Sequence, residues 1–127
     1  LDINPRLSTP IYQQLVDGVK EAIAQGMLLP GERMPTVRKL ALELSLNPNT
    51  VAKAYQKLEQ EGIIETMRSR GTYIASPSVV DKELAHKRLG RLIEKVLVEA
   101  YHLGLSPAEV KQLVADKLDE WEVRGRK

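Results

Sequence analysis

The chain of 127 residues contains no cysteine, which excludes disulfide bonds and thiolate chemistry. Such a composition fits the reducing cytoplasm, where we therefore expect the protein to be. No apolar run approaches the roughly 20 residues that a membrane span requires, and no signal peptide is visible. The sequence thus predicts no membrane partner.

Histidine is also scarce, because His86 and His102 are the only two. Both fall in one predicted helix, which separates them by roughly 24 Å, so they cannot share a metal ion within one subunit. No serine–histidine–aspartate or paired-carboxylate arrangement can be argued from the spacing. We therefore predict that the protein is not an enzyme and holds no metal or cofactor.

Neither sign of charge is in large excess: 19 lysines and arginines stand against 17 aspartates and glutamates, which gives a net charge of +2. A bias this weak says little about partners, so any nucleic-acid signal must come from where the charges lie. The length allows one domain, or one small domain with an appendage.

The clearest pattern is the segment from Asn47 to Glu61, which predicts a helix with one buried face. Asn47 is a suitable N-cap, and Pro48 is tolerated at the first helical position. Apolar side chains follow at helical spacing, at Val51, Ala54, Tyr55 and Leu58. The opposite face carries amide, hydroxyl and amine donors, at Asn49, Thr50, Lys53, Gln56 and Lys57. Such donors can reach base edges and phosphates in a DNA major groove.

The residues around this helix predict a winged helix-turn-helix. Upstream, Thr36 to Leu44 is a second short amphipathic pattern with Thr36 as its N-cap. Two short helices joined by a tight turn form a helix-turn-helix. Downstream, two predicted strands, Ile63–Glu65 and Gly71–Ala75, flank a basic loop and form a β-hairpin wing.

The N-terminal end is predicted to pack on this motif. Leu1 to Ser8 is expected to be an extended arm. Thr9 and Pro10 predict the N-cap and first turn of a helix from about Ile11 to Gln25. One apolar stripe from each of three helices, together with the wing strands, would close one small core.

From about Val80 the pattern is helical, with a break at Gly104 and a capping box at Ser106–Glu109. Two helices cannot bury so much apolar surface alone, so we expect a homodimer formed with the same hairpin of a second subunit. The alternative is a monomer whose hairpin folds back on the N-terminal domain. The residues expected at the dimer interface are Leu89, Leu92, Ile93, Val96, Ala100, Leu113, Val114 and Trp121.

Three motifs, PGERMPTVRKLALEL, NPNTVAKAYQKLEQEG and RGTYI, occur in order between Pro30 and Ile74. In this order and spacing they resemble the winged-helix domain of GntR-type bacterial transcription regulators. The NPNTV motif and the short C-terminal part are similar to the YtrA subfamily in particular. The resemblance implies a repressor that binds a palindromic operator in double-stranded DNA. It also implies control of a transporter operon, since such regulators often lie beside transporter genes.

The resemblance also indicates which residues contact DNA. The position of Arg38 is an arginine that contacts DNA in the family, whereas many members have an arginine at Pro48 and a glycine at Ser69. The contact of that missing arginine is not carried over. The expected DNA-binding residues are Arg38, Asn47, Asn49, Thr50, Lys53, Lys57, Arg68, Ser69, Arg70 and Gly71.

The sequence therefore predicts a mainly α fold with a small β-hairpin. A winged helix-turn-helix domain at residues 1–76 would be followed by a two-helix hairpin at residues 77–127, which is expected to serve for dimerisation or as an effector region. The alternative function is a winged helix used for protein–protein interaction without specific DNA binding. No residue pattern identifies a small-molecule effector.

Overall fold

The structure is a computed structural model that describes residues 2–77 and 80–125. The chain forms two compact units, an N-terminal unit, Leu1–Ser78, and a C-terminal unit, Val79–Lys127. The elements in chain order are α1 (Ile11–Ala24), α2 (Val37–Leu44), α3 (Pro48–Gln60), β1 (Ile64–Met67), β2 (Gly71–Ile74), α4 (Lys82–His102) and α5 (Pro107–Gly125). The predicted class, mainly α with one β-hairpin, is confirmed.

The core of the N-terminal unit is built around α3, which contacts α1, α2 and β1. The apolar stripe predicted for α3 is buried, and Val51, Ala54 and Leu58 are fully inaccessible to solvent. Burying a leucine or valine side chain in this way stabilises the fold by about 1.5–3 kcal/mol. The other buried core residues come from every element of this unit and from the loop before α2: Leu15, Val16, Val19, Met34, Leu40, Ala41, Tyr55, Ile64 and Ile74.

Tyr55 links α3 to the loop before α2 through a hydrogen bond. Its hydroxyl donates to the carbonyl oxygen of Pro35 at 2.7 Å. Burial, and secondarily the negative charge of Glu43, raises the pKa of Tyr55 to about 12. The phenol therefore stays protonated and serves as a hydrogen-bond donor at neutral pH.

The helix starts of the helix-turn-helix are capped as predicted. The Thr36 hydroxyl accepts from the Lys39 amide at 3.1 Å, and the Asn47 side-chain oxygen accepts from the Asn49 amide at 2.8 Å. Ser45, in the turn between α2 and α3, adopts a left-handed conformation with φ of 56°. These local bonds fix where α2 and α3 begin and how the chain turns between them.

The prediction that Thr9 caps α1 was wrong. Pro10 occupies the cap position, and no side chain caps the helix there. The carbonyl oxygen of Thr9 instead accepts from the Gln14 side-chain amide at 2.9 Å. Thr9 is therefore held through its main chain, by a side chain from the first turns of α1.

The extended arm predicted for the N-terminal residues was also wrong. The chain turns at Pro5 and Arg6, where the Arg6 amide donates to the side-chain oxygen of Asn4 at 3.0 Å. The Gln14 side chain accepts from the Asn4 amide and donates to the Asn4 carbonyl, both at 2.8 Å. The side-chain amide of Gln14 thus pairs with both main-chain polar groups of Asn4 and holds this part of the arm against α1.

The wing is an antiparallel hairpin whose register runs from Ile64 opposite Ile74 to Met67 opposite Gly71. The first strand extends further than predicted, so the connecting turn contains only residues 68–70. The loop before α2 pairs with the second strand of the wing, because Arg33 forms an isolated antiparallel bridge with Tyr73. The Met34 amide donates to the Thr72 carbonyl at 2.7 Å, which anchors the wing to the start of the helix-turn-helix.

The C-terminal unit consists of α4 and α5, which contact each other. The predicted capping box is present, since Glu109 accepts from the Ser106 amide at 2.9 Å and the Ser106 hydroxyl accepts from the Glu109 amide at 3.2 Å. Ala100 is the one buried side chain in the part of this unit whose side chains are described. Most of the apolar surface of the hairpin is therefore open in a single chain.

In residues 2–77 and 80–125, no helix combines the length and apolarity needed to cross a membrane. Within the same ranges, no three His, Cys, Asp or Glu residues are grouped so that they could hold a metal ion.

Candidate nucleic-acid interface

The N-terminal half of α3 presents polar donors to solvent. Asn47, Asn49 and Lys53 are exposed, as predicted for a recognition helix. Thr50 and Lys57 were predicted on the same outward face but are half-buried. Their positions flank the buried stripe on the helix, so a neighbouring element covers them in part. The outward donors therefore form a narrower set than the sequence predicted.

Lys53 and Lys57 lie against α1. The ammonium of Lys53 is 4.0 Å from the centroid of the Tyr12 ring, and that of Lys57 is 5.8 Å from the same centroid. Lys57 also donates to the side-chain oxygen of Gln13 at 2.6 Å. Sequence reasoning did not predict this role of α1, because its residues are far from α3 along the chain.

Charge is unevenly distributed along α3. No carboxylate occurs from Asn47 to Leu58, whereas Glu59 and Glu61 lie at the C-terminal end. Glu61 pairs with Lys20 at 2.9 Å, so one of these carboxylates is already partnered. The helix N-terminus carries partial positive charge from its unpaired amides. An approaching polyanion is therefore attracted to the N-terminal end of α3.

Arg38 lies in the first turn of α2 and is exposed, as expected for a residue that contacts DNA. No hydrogen bond or ion pair of its side chain occurs within the described residues. Its guanidinium is therefore available as a bidentate donor to a phosphate or a guanine edge.

The wing tip carries two exposed arginines, Arg68 and Arg70, on either side of Ser69. Ser69 adopts φ of 65°, a left-handed conformation that glycine accommodates without steric cost. The glycine expected at this position from the family resemblance therefore has a conformational explanation. The Tyr73 hydroxyl donates to the Arg70 carbonyl at 2.9 Å and ties the turn to the second strand.

Gly71 has a structural role that the sequence did not reveal. Its φ is 108°, and a Cβ atom there would lie 2.9 Å from Nε of Arg33. The absence of a side chain thus lets the exposed Arg33 guanidinium lie over the wing backbone. Arg33 adds a third arginine to the wing, and no local sequence signal pairs it with Gly71.

The predicted DNA-binding residues thus lie on three parts of the N-terminal unit, which are the start of α2, the N-terminal half of α3 and the wing. Within the described residues, no hydrogen bond or ion pair joins the Arg38 side chain to either of the other two parts. Three helices with a donor-rich third helix and a basic β-hairpin define a winged-helix DNA-binding domain.

Comparisons with known proteins identify the family. Residues 11–74 match the bacterial regulatory proteins of the gntR family. The chain is 40% identical over 124 residues to the HTH-type transcriptional repressor YtrA of Bacillus subtilis (strain 168), covering 95% of this chain and 88% of that protein. This protein therefore belongs to the GntR family, and its similarity to YtrA is confirmed.

Solved structures agree with this assignment. A transcriptional antiterminator from Listeria monocytogenes EGD-e superposes with a TM-score of 0.82 at 32% identity, covering 95% of this chain and 91% of that one. The DNA-binding domain of AraR in complex with operator ORX1 matches 59% of this chain and 93% of its own, with a TM-score of 0.52 and 27% identity. The protein is thus a DNA-binding transcription regulator and not an enzyme.

Proposed function

We propose that this protein is a sequence-specific repressor that binds a palindromic operator as a homodimer. In this proposal α3 enters the major groove, and the wing lies on the adjacent backbone or minor groove. The observation that carries the proposal is the exposed, carboxylate-free N-terminal half of α3 beside a basic wing on one domain. The name of the relative YtrA, a repressor, supports the direction of regulation.

The DNA contacts fall into two kinds. Arg38, Asn49 and Lys53 are exposed and have donors suited to base edges and phosphates, so they are proposed to supply sequence readout. The remaining residues are proposed to contact the backbone or orient the helix: Asn47, Thr50, Lys57, Arg68, Ser69, Arg70 and Gly71. Lys57 is proposed to contribute less to DNA binding than Lys53, because its ammonium already donates to Gln13.

The dimer is proposed to form through α4 and α5. The apolar side chains expected at the interface are 47–58% exposed in the single chain, namely Leu89, Leu92, Ile93, Val96, Leu113 and Val114. Covering such a face in a second copy removes apolar area from water, which favours association. Trp121 is half-buried. Ala100 is buried inside the hairpin, so it is proposed to pack beneath the interface residues without itself contacting the second copy.

A two-fold dimer presents two recognition helices, so its operator is expected to contain two inverted half-sites. The regulated genes are proposed to include a transporter operon, which rests on the family resemblance alone. Because it is proposed to act on chromosomal DNA, the protein is also proposed to be cytoplasmic.

The proposal is tested by fluorescence anisotropy with the DNA upstream of the protein's own gene and with scrambled DNA of equal length. We expect tight binding to the upstream DNA alone, weakened by raising the salt concentration, since counterions are released from phosphates. Arg38→Ala should weaken binding by about 1–3 kcal/mol if the arginine contacts a base. Lys20→Ala is the matched control, because it removes one positive charge from the same domain at the ion pair with Glu61.

Two outcomes would contradict the proposal. Equal losses from Arg38→Ala and Lys20→Ala would mean that only net charge matters. Absence of binding to any DNA at low salt would support the alternative of a protein–protein interaction module.

A further inference from the structure

The contact between α1 and α3 has a feature that core packing does not require. Tyr12 packs its half-buried side chain against the core of the N-terminal unit. The ring also faces the ammonium of Lys53 at 4.0 Å, while the Lys53 residue as a whole remains exposed. One aromatic ring thus belongs partly to the core and partly to the surface proposed to meet DNA.

The neighbouring residues hold this arrangement in place. Gln13 donates from its side-chain nitrogen to Asp17 at 2.8 Å, which orients its oxygen toward Lys57. Lys57 donates to that oxygen at 2.6 Å, and its ammonium lies 5.8 Å from the Tyr12 ring centroid. Lys57 is therefore engaged on α1 and leaves the nearer position over the ring to Lys53.

A ring face attracts an ammonium group electrostatically without forming a directed hydrogen bond. The three N–H donors of Lys53 are therefore not consumed by this contact, and its charge is not neutralised. A lysine side chain otherwise has many rotamers, and fixing them on binding opposes association. Restricting Lys53 before DNA arrives reduces that loss.

We propose that Tyr12 is a positioning residue, which holds the Lys53 ammonium ready to bind operator DNA. This inference rests on the proposed function, because it requires that α3 meets DNA. It assigns a role in DNA recognition to a residue of α1 through its contact with Lys53.

The first test measures the contact in the free protein. The Cε methylene protons of Lys53 should show an upfield ring-current shift in the NMR spectrum of the wild type. Tyr12→Phe keeps the aromatic face and should retain the shift, whereas Tyr12→Leu keeps apolar bulk and should lose it. Absence of the shift in the wild type would overturn the proposal without any DNA experiment.

The second test measures operator affinity by anisotropy, with thermal unfolding recorded for every variant. Tyr12→Leu should weaken operator binding about two- to fivefold, which is the effect of an exposed cation–π contact. Tyr12→Phe should bind like the wild type. Equal weakening by both variants would overturn the positioning role, because the hydroxyl, which both variants lack, would then be responsible.

A double-mutant cycle separates positioning from a general structural effect. In a Lys53→Met background, Tyr12→Leu should cause no further loss of affinity, because the ammonium it positions is gone. The same loss in both backgrounds would mean that Tyr12 acts through folding. If the wild type binds no operator DNA, both this role and the proposed function are overturned. If the wild type binds tightly and Tyr12→Leu binds equally tightly, only this role is overturned.

Discussion

Both units contain helices with regularly spaced apolar side chains, but these side chains are buried to very different extents in the two units. In the N-terminal unit, seven large apolar side chains have less than 2% of their surface exposed. In the C-terminal unit, most of the described leucines and valines of α4 and α5 expose about half of their surface, whereas Val110 is half-buried and Ala100 is buried. A helical stripe is buried only where other elements cover it, and α4 and α5 cover each other incompletely. The N-terminal unit therefore has its own core, whereas the described side chains of the C-terminal unit form none in a single chain.

This difference bears on stability as well as assembly. The N-terminal unit contains three helices and a hairpin around one core, so its stability should not depend on protein concentration. A unit completed by a second copy is stabilised by mass action, so its stability should rise with concentration. Substitutions at matched positions in the two units can separate these behaviours.

The largest expected effect comes from the N-terminal core. Leu58→Ala should lower the free energy of unfolding by about 2–5 kcal/mol, because it leaves a cavity at a fully buried site. Urea denaturation followed by circular dichroism measures this loss. Leu42→Ala, at a leucine that is 77% exposed on α2, should change stability by roughly 0.5 kcal/mol or less. Similar losses for both leucines would contradict the assignment of the core.

The next effect concerns the open face of the C-terminal unit. Leu92→Lys should shift the protein from dimer to monomer in analytical ultracentrifugation, because a charge would be placed in the proposed interface. Operator affinity should fall at least about tenfold, since the second half-site contact is lost. Leu29→Lys is the matched control, because Leu29 is 53% exposed and Leu92 is 56% exposed. A dimer that persists in Leu92→Lys would place the interface elsewhere.

A smaller effect on stability is expected at Ser45 and Ser69, the two serines of the N-terminal unit whose backbone is in the left-handed conformation. Ser69→Gly should raise the free energy of unfolding by about 0.5–1 kcal/mol, because glycine relieves the steric cost of φ at 65°. Ser45→Gly, at φ of 56°, should act in the same direction. Thermal denaturation measures both changes. Ser76→Gly serves as the control, since Ser76 has no positive φ and should gain nothing.

The smallest effect is a pH dependence at the start of α5. Hydrogen bonding lowers the pKa of the exposed Glu109 carboxyl below its usual value of 4.5. The larger contribution comes from the Ser106 amide and the smaller one from the Ser106 hydroxyl. Because the folded pKa is the lower one, this stabilisation is present above about pH 4.5 and is lost as pH falls through the folded pKa. The Ser106 amide resonance should report this loss in an NMR pH titration. Glu109→Gln keeps an acceptor and should remove the titration; an unchanged titration would contradict the assignment.

Local interactions explain why much of the fold was predictable. The caps at Thr36, Asn47 and Ser106 each join residues two or three positions apart, so the sequence shows both partners side by side. Apolar spacing likewise identified the buried face of α3. The Thr9 cap was mispredicted because Gln14, a longer side chain on the next turn, bonds the main chain of the arm instead.

The candidate site was predictable in its residue types and less so in its geometry. Exposed donors on α3 and arginines in the wing followed from periodicity and from the family resemblance. The half-burial of Thr50 and Lys57 did not, because it depends on tertiary packing, which for Lys57 is its contact with Gln13 and Tyr12 of α1. Arg33 was missed for the same reason, since its position over Gly71 requires the loop before α2 to pair with the wing.

The sequence by itself determined the helices, the caps of α2, α3 and α5, the wing and the family, because these follow from contacts within a few residues or from ordered motifs. Only the tertiary structure showed that Tyr12 faces Lys53, that Gln14 folds the arm, and that Arg33 lies over Gly71. It also showed that the apolar face of α4 and α5 is open in one chain. The physical reason is common to these findings. Periodicity specifies which face of an element is apolar, whereas packing decides which distant side chain, if any, covers it.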